Sequence, residues 1–145
     1  NFFEYYETDK KYNCITFWGQ LEHVTNPMKL IEKAVSLLTD NGILQFEVPS
    51  ADCFLMKYLD KNLFSPYRYI ENARHIQFFS RTSIDIVCST FNLELVYLES
   101  NGLDLQTILL NEITPLGTDR LISMQQTLDG LLLGDHYRVF LKKVS

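Results

Sequence analysis

Two short apolar runs, separated by one amphipathic stretch, constrain the fold of this chain more than any other feature. Residues 12–18 (YNCITFW) form a β-prone run of the kind found in strands buried on both faces. Residues 43–48 (ILQFEV) form a second such run, closed by Pro49. A strand, a helix and a second strand joined by short connections predict a βαβ unit with parallel strands.

Asn26 and Pro27 mark the start of the helix between these runs. An asparagine side chain can cap a helix, and proline is favoured in its first turn. We expect the helix to end near residues 39–42 (TDNG), where Asn41 and Gly42 turn the chain into the second strand. Its apolar stripe is predicted to contain Met28, Ile31, Val35 and Leu38.

The alternation of helices and strands continues to the end of the chain. Ser80 is a good N-cap for a helix, and residues 93–100 (LELVYLES) follow as a third strand. Helical patterns at residues 103–112 and 119–132 precede a last strand at residues 136–144 (HYRVFLKKV).

The net charge and the cysteines of the chain indicate which binding partners and which cellular compartment to expect. The 145 residues carry a formal net charge of -5, which argues against a surface that follows nucleic-acid phosphates. Cys14, Cys53 and Cys88 lack zinc-like spacing and are predicted to be reduced core thiols. No apolar run approaches the ~20 residues that span a bilayer, and the first residues lack the order of a signal peptide. We therefore expect a cytoplasmic protein that binds neither nucleic acid nor membrane.

Three sequence words, in this order, carry a resemblance to a known family: ITFWGQLEHVTNP, LLTDNGILQFEVP and HIQFFSRTSIDIVCSTFNLELVYLES. From Tyr12 onward the chain resembles the C-terminal half of class I S-adenosylmethionine-dependent methyltransferases. The resemblance implies an α/β fold, the C-terminal half of a Rossmann-like doubly wound sheet that is mostly parallel with an antiparallel last strand. Residues 1–145 are then a single, partial methyltransferase domain, and residues 103–133 are a helical insertion before the last strand.

The resemblance also implies a cofactor. The family binds S-adenosylmethionine mainly through a glycine-rich turn after its first strand and an acid after its second. No two of the six glycines have G-x-G spacing, so we expect the first strands of the sheet to precede Asn1 in a longer parent protein. The isolated chain is accordingly not expected to be active. The resemblance places Phe17, Trp18 and Gly19 at the methionine end of the cofactor.

Glu22 and His23 are the predicted catalytic residues. In open α/β sheets, ligands bind beyond the carboxyl ends of the strands, where this pair lies. Methyl transfer from a sulfonium is an in-line displacement, so the protein mainly aligns the reactants and removes the acceptor's proton. An imidazole suits proton removal near neutral pH, and Glu22 could orient it or ligate a metal. The alternative is that both residues only decorate a solvated approach to the helix.

His75 and Arg81 are the predicted substrate-binding residues. In the family, the segment that they flank returns over the acceptor side of the pocket, and an arginine fork can hold a phosphate or carboxylate. Simple exposure of both side chains to water fits the pattern equally well. Some relatives bind a divalent ion through Glu-x-x-Glu-His and a later histidine. Here Gly19 replaces the first of those acids, so no metal is predicted.

The sequence thus predicts a methyltransferase fragment that acts on an oxygen or carbon of a small polar metabolite, for example a sugar. The alternative is a catalytically inactive methyltransferase-like binding or assembly module. A homodimer is a further expectation, because the strand at residues 12–18 lacks the family's first strand on one side and would expose unpaired N–H and C=O groups. The aromatic run at residues 1–7 (NFFEYYE) is the other candidate for covering this edge.

Overall fold

The computed structural model describes residues 3–58, 74–102 and 118–144, and these contain one four-stranded sheet. The strands are β1 (Tyr12–Trp18), β2 (Leu38–Pro49), β3 (Leu93–Asn101) and β4 (His136–Lys143). Their order across the sheet is β1-β2-β4-β3. β1 and β2 are parallel, whereas β4 is antiparallel to both β2 and β3. Three strands therefore share one direction and the last strand opposes them, which confirms the predicted fold class.

Helices in the described residues are α1 (Pro27–Leu37), α2 (Phe54–Tyr58), α3 (Arg81–Phe91) and α4 (Thr118–Gly130). The helix α4 coincides with the second of the two helical patterns predicted before the last strand. The first pattern, at residues 103–112, lies outside the described residues. The helical insertion at residues 103–133 and the single domain over residues 1–145 stay predictions.

Both predicted helix starts are confirmed. The Asn26 side-chain oxygen accepts a hydrogen bond from the Lys29 backbone N–H at 3.2 Å, and Pro27 follows at the first helical position. Ser80 caps α3 in a reciprocal arrangement with Ser83: each hydroxyl accepts from the other residue's backbone N–H, at 3.1 Å and 2.8 Å.

The buried face of α1 differs from the predicted stripe. Its fully buried residues are Leu30, Ile31, Ala34 and Leu37. Met28 and Val35 are only partly buried at the margin of the core, and Leu38 already belongs to β2. The helix ends at Leu37, near residues 39–42 as predicted, but β2 begins directly after it at Leu38 instead of at Ile43.

The predicted turn at Asn41 and Gly42 is present as a bulge within β2. The register between β1 and β2 is interrupted here, so residues 39–42 do not form a separate loop. Asn41 has a φ of 60°, a left-handed conformation that asparagine tolerates. A Cβ on Gly42 would lie 2.9 Å from the Thr39 carbonyl oxygen, so this close approach requires glycine.

The core lies between one face of the sheet and the helices α1 and α3. Alternate residues of the two central strands point into it and are fully buried: Leu44, Phe46 and Val48 from β2, and Tyr137, Val139 and Leu141 from β4. Ile31 of α1 and Ile84 of α3 pack against them. The opposite face of the sheet is less buried in the described residues.

A row of four side chains crosses that opposite face at the carboxyl end of β1 and β2. Trp18, Glu47, Arg138 and Glu99 are successive register partners on the four strands. The Arg138 guanidinium donates to Glu47 at 2.7 Å and to Glu99 at 2.8 Å. Its central carbon lies 5.2 Å from the centre of the Trp18 ring, within cation–π range. The row ties all four strands together where the candidate site begins.

The strand β1 lies at the edge of the described sheet and pairs there with β2. The described part of the N-terminal run, residues 3–7, contains no strand. Residues 3–5 form a 3-10 turn, and the Phe3 ring packs edge-on against Phe17 with the ring centres 5.4 Å apart. Cys14 is exposed on this edge strand, so its prediction as a core thiol was wrong. Cys53 is buried and Cys88 is partly buried, and none of the three cysteines forms a disulfide.

Candidate functional site

The segment after β1 and the segment before α3 meet at the carboxyl end of the parallel strands. A 3-10 turn (Leu21–His23) follows β1 almost directly. The backbone N–H groups of Ile76 and Gln77 both donate to the Glu22 carbonyl, at 2.9 Å and 3.2 Å. The segment is also fixed to the end of β2 through backbone hydrogen bonds of Phe79. These bonds hold the two segments against each other.

Glu22, His23 and His75 form a compact cluster at this meeting point. Each residue offers one potential ligand atom, and these atoms all lie within 4.8 Å of one another. His23 Nε2 is 3.7 Å from Glu22 Oε1, and the centres of the two imidazole rings are 5.0 Å apart. Glu22 is buried, His75 is half-buried and His23 is exposed. The carboxylate therefore lies at the base of the cluster and the imidazoles lie towards solvent.

The backbone determines the tautomer of His23. Its Nδ1 lies 2.8 Å from the Arg74 carbonyl oxygen. A carbonyl oxygen can only accept, so Nδ1 must carry a proton, and in the neutral form of the ring Nε2 keeps a lone pair. The sequence carries no signal for this contact, because every residue type has a backbone carbonyl. The result is a base or ligand atom presented beside Glu22.

Glu22 is unusual because one oxygen of its buried carboxylate is unpaired in the part of the chain that the structure describes. Its Oε2 has no hydrogen-bond partner, and no lysine or arginine of the described ranges forms an ion pair with it. Leaving a buried polar group unpaired costs about 1–3 kcal/mol, and more for a charged group. Gly19 borders the same carboxylate, since a Cβ there would lie 3.7 Å from Glu22 Oε1. The backbone thus leaves room beside this group.

The side chains of Phe17 and Trp18 do not converge on one place. Adjacent residues of a strand point to opposite faces of a sheet. Phe17 is 2% exposed in the core, whereas Trp18 is 50% exposed and lies beneath Arg138 on the other face. Gly19 ends the strand with a φ of 58°. What these three residues share at the strand end is their backbone, and their contact with a cofactor stays a prediction.

Arg81 has a partner on its own helix. Its Nε lies 3.2 Å from Asp85 Oδ1, one turn further along α3, and both side chains are about half-exposed. Its backbone N–H donates to Asp52 Oδ2 at 2.6 Å. The structure thus brings Glu22, His23 and His75 together and gives Arg81 a separate surface contact, so its substrate-binding role stays a prediction.

A hydrogen-bond network around Asp52 anchors the site, and the sequence did not predict it. Asp52 accepts from the Arg81 backbone N–H at 2.6 Å and from the Tyr137 hydroxyl at 3.1 Å, and it pairs with Lys57 at 3.1 Å. Burial opposes its charge, but these three donors outweigh burial and lower the pKa of Asp52. Burial, assisted by the charge of Asp52, raises the pKa of Tyr137 to about 12. The network joins the start of α3 to β4 and to the end of β2.

An open cavity of about 720 Å³ lies elsewhere, along the bare edge of β1. Its walls are mostly aromatic and apolar: Phe3, Tyr5, Tyr6, Glu7, Tyr12, Cys14 and Ile15. None of these residues belongs to the cluster of Glu22, His23 and His75. The cavity therefore lies along β1 and apart from that cluster.

Residues 2–98 match the model of a family described as a methyltransferase domain. The match spans more than half of the chain and includes β1, the Leu21–His23 turn and His75. The chain belongs to this methyltransferase family. No curated protein matches it in sequence.

Solved methyltransferase structures share the fold at low sequence identity. A S-adenosylmethionine-dependent methyltransferase from Thermotoga maritima aligns with a TM-score of 0.61 and 12% identity, over 99% of this chain and 61% of that one. The N-methyltransferase NodS from Bradyrhizobium japonicum, in complex with S-adenosyl-L-homocysteine, gives 0.57 and 11%, over 100% and 53%. A S-adenosylmethionine-dependent methyltransferase from Archaeoglobus fulgidus gives 0.55 and 13%, over 93% and 61%.

This methyltransferase chain spans 53–61% of the length of those three structures. At identities of 11–13%, the likeness establishes the fold. None of the helices in the described ranges is long and apolar enough to cross a membrane.

Proposed function

We propose that this chain supplies the acceptor side of a S-adenosylmethionine-dependent methyltransferase acting on an oxygen or carbon of a small polar metabolite, for example a sugar. The observation that carries the proposal is the orientation of His23. The Arg74 carbonyl holds its Nδ1 proton, and its Nε2 lone pair stays available at the end of the parallel strands. Membership of the methyltransferase family supports the type of reaction.

The chain fits S-adenosylmethionine only in part. The end of β1 offers the backbone of Phe17, Trp18 and Gly19, with open space next to Glu22. A G-x-G pair is absent from the sequence, so the glycine-rich turn of the family must come from elsewhere if the cofactor binds. When bound, the cofactor offers a methyl carbon on a sulfonium sulfur: the acceptor atom bonds to this carbon while the carbon–sulfur bond breaks and its electron pair stays on sulfur.

The residues of this chain act on the acceptor. His23 takes the acceptor's proton at Nε2, which turns a hydroxyl or an acidic C–H group into a nucleophile. Glu22, 3.7 Å from Nε2, stabilises the imidazolium that results. A neutral hydroxyl or C–H group is a poor nucleophile until it loses its proton, so a base at this place suits an oxygen or carbon acceptor. His75 and Arg81 are proposed to contact the polar groups of the acceptor.

Replacement of His23 by alanine in the full-length protein that carries this chain tests the proposal. We expect turnover to fall ~10²-fold or more while affinity for S-adenosylmethionine changes little, because a lost base weakens only the chemical step. His136→Ala is the matched control, since this histidine lies on β4 and outside the cluster. Full activity of the His23 variant would remove this residue from the mechanism. Absence of methyl transfer by the wild type would favour the binding module.

A further inference from the structure

We propose that Glu22, His23 and His75 form a binding site for a divalent transition-metal cation, with zinc as the representative ion. The sequence alone predicted no metal, because Gly19 stands where some relatives have an acid. The structure, however, brings the three remaining side chains together without that acid. The site is formed by side chains of this chain, so its existence does not depend on methyl transfer.

The separations between the three side chains are close to those in a metal site. Around a tetrahedral zinc with bonds of about 2.1 Å, neighbouring ligand atoms lie roughly 3.4 Å apart. His23 Nε2 and Glu22 Oε1 are 3.7 Å apart, and the largest separation in the set is below 4.8 Å. Binding would require rotation of the side chains to close the remaining difference of up to about 1.4 Å.

Two independent features prepare these atoms for a cation. The Arg74 carbonyl accepts the Nδ1 proton of His23, which is how metal-binding histidines are commonly oriented. Glu22 is 4% exposed, and its Oε2 has no hydrogen-bond partner among the described residues. A buried carboxylate oxygen without a partner is costly, and a bound cation would remove that cost. The geometry and the unpaired oxygen therefore point to the same ligand.

The donor set selects the class of cation. Two imidazole nitrogens with one carboxylate suit zinc and its first-row neighbours, whereas magnesium and calcium prefer oxygen ligands. Three protein ligands leave at least one position open, as in catalytic zinc sites. Because His23 is exposed and His75 is half-buried, the open position would face solvent and admit a small molecule.

A bound cation would change the role of His23, and this part of the inference rests on the proposed function. With Nε2 committed to the cation, His23 no longer takes a proton. An acceptor hydroxyl at the open position would instead lose its proton more readily because of the nearby positive charge. The acceptor class is then a hydroxyl compound whose oxygen can bind a transition metal.

Zinc titration of the intact chain, stripped of metal with a chelator, tests the site by calorimetry. We expect one zinc ion per chain. Glu22→Gln and His75→Gln should each weaken binding by at least 10–100-fold, since losing even an outer hydrogen-bond partner costs that much in zinc sites. His136→Gln is the matched control, because it removes the third histidine of the chain and should leave the affinity unchanged.

Cobalt(II) separates this site from binding at an exposed thiol. A thiolate ligand produces a sulfur-to-cobalt charge-transfer band, and nitrogen and oxygen ligands do not. The absorption spectrum of the bound cobalt should lack that band. The same spectrum should be seen with Cys14→Ser, and it should be lost in His75→Gln, which should not bind the ion. Three results would overturn the proposal. They are a thiolate band that Cys14→Ser removes, equal zinc affinity of the wild type and His75→Gln, and no zinc binding at all. If Glu22→Gln fails to fold, His75→Gln decides, because this residue is half-buried.

Failure of the metal site and failure of the proposed function are distinguishable. If His23→Ala abolishes turnover but the wild-type chain binds no zinc, the metal site is wrong and the base role stands. If the cluster binds zinc but the full-length protein transfers no methyl group, the metal site stands and the proposed function is wrong.

Discussion

Replacing Asp52 by asparagine should weaken the anchor of the candidate site. Oδ2 of Asp52 accepts from the Arg81 backbone N–H at 2.6 Å and from the Tyr137 hydroxyl at 3.1 Å. The pair with Lys57 involves the other oxygen, and Lys57 is 45% exposed, so this contact contributes little. The two bonds to Oδ2 therefore dominate the expected effect.

The magnitude follows from the charge of the acceptor. A hydrogen bond to a charged group contributes about 1.5–3 kcal/mol, compared with about 0.5–1.5 kcal/mol for a neutral pair. Asparagine keeps an oxygen but loses the charge, so Asp52→Asn should lower the free energy of unfolding by about 2 kcal/mol. Asp52→Ala removes the acceptor of both bonds and should cost about 3–4 kcal/mol.

Urea denaturation followed by circular dichroism measures these differences. A loss of 2 kcal/mol should also lower the melting temperature by roughly 6–8 °C for a chain of this size. Asp85→Asn is the matched control, because its carboxylate is 57% exposed and pairs with Arg81 on the helix surface. This change should cost less than about 0.5 kcal/mol. If Asp52→Asn is no less stable than Asp85→Asn, the hydrogen bonds to Asp52 do not stabilise the fold as proposed.

The dependence on pH gives a second check on the Asp52 network. The pKa of Asp52 is lower in the folded protein than in the unfolded chain, so its carboxylate form stabilises the fold. This contribution is fully present above the unfolded pKa, near 4, and is lost as pH falls through the lower folded value. The stability gap between wild type and Asp52→Asn should stay constant at neutral pH and narrow below about pH 4. A gap that does not narrow in acid would contradict the assigned cause.

Two further predictions concern alkaline stability and the bare sheet edge. The pKa of Tyr137 is about 12 in the folded protein and about 10 in the unfolded chain, so the neutral hydroxyl stabilises the fold. This contribution is fully present below about pH 10, and the free energy of unfolding should fall by about 2–3 kcal/mol between pH 10 and 12. Urea melts of Tyr137→Phe should lack that loss, and an equal decline in both proteins would exclude Tyr137 as its source. At micromolar concentration the chain should sediment as a dimer whose two copies pair through β1. Thr16→Lys on β1 should yield monomers. Val96→Lys, on the opposite edge strand β3, is the control and should leave the dimer intact. A monomeric wild type, or dissociation by Val96→Lys alone, would count against this edge.

The local helices and strands, and the α/β class that they form, could be predicted from the sequence. The helix starts at Asn26 and Ser80 were predictable because a cap satisfies backbone groups only a few residues away. The βαβ unit was predictable because the spacing of apolar residues along the chain differs between strands and helices. The boundary between α1 and β2 was not, since the turn at residues 39–42 became a bulge once β2 paired with its neighbours.

The candidate site could be located only in the folded structure. The sequence could nominate Glu22, His23 and His75 separately, but their closeness depends on backbone bonds between the turn after β1 and the segment before α3. The Arg74 carbonyl that orients His23 is 51 positions away from it and has no side-chain signature. Asp52 and Tyr137 are 85 positions apart in the same way. Such contacts arise where the ends of different strands meet, and that meeting requires the whole strand order, which no short stretch of sequence contains.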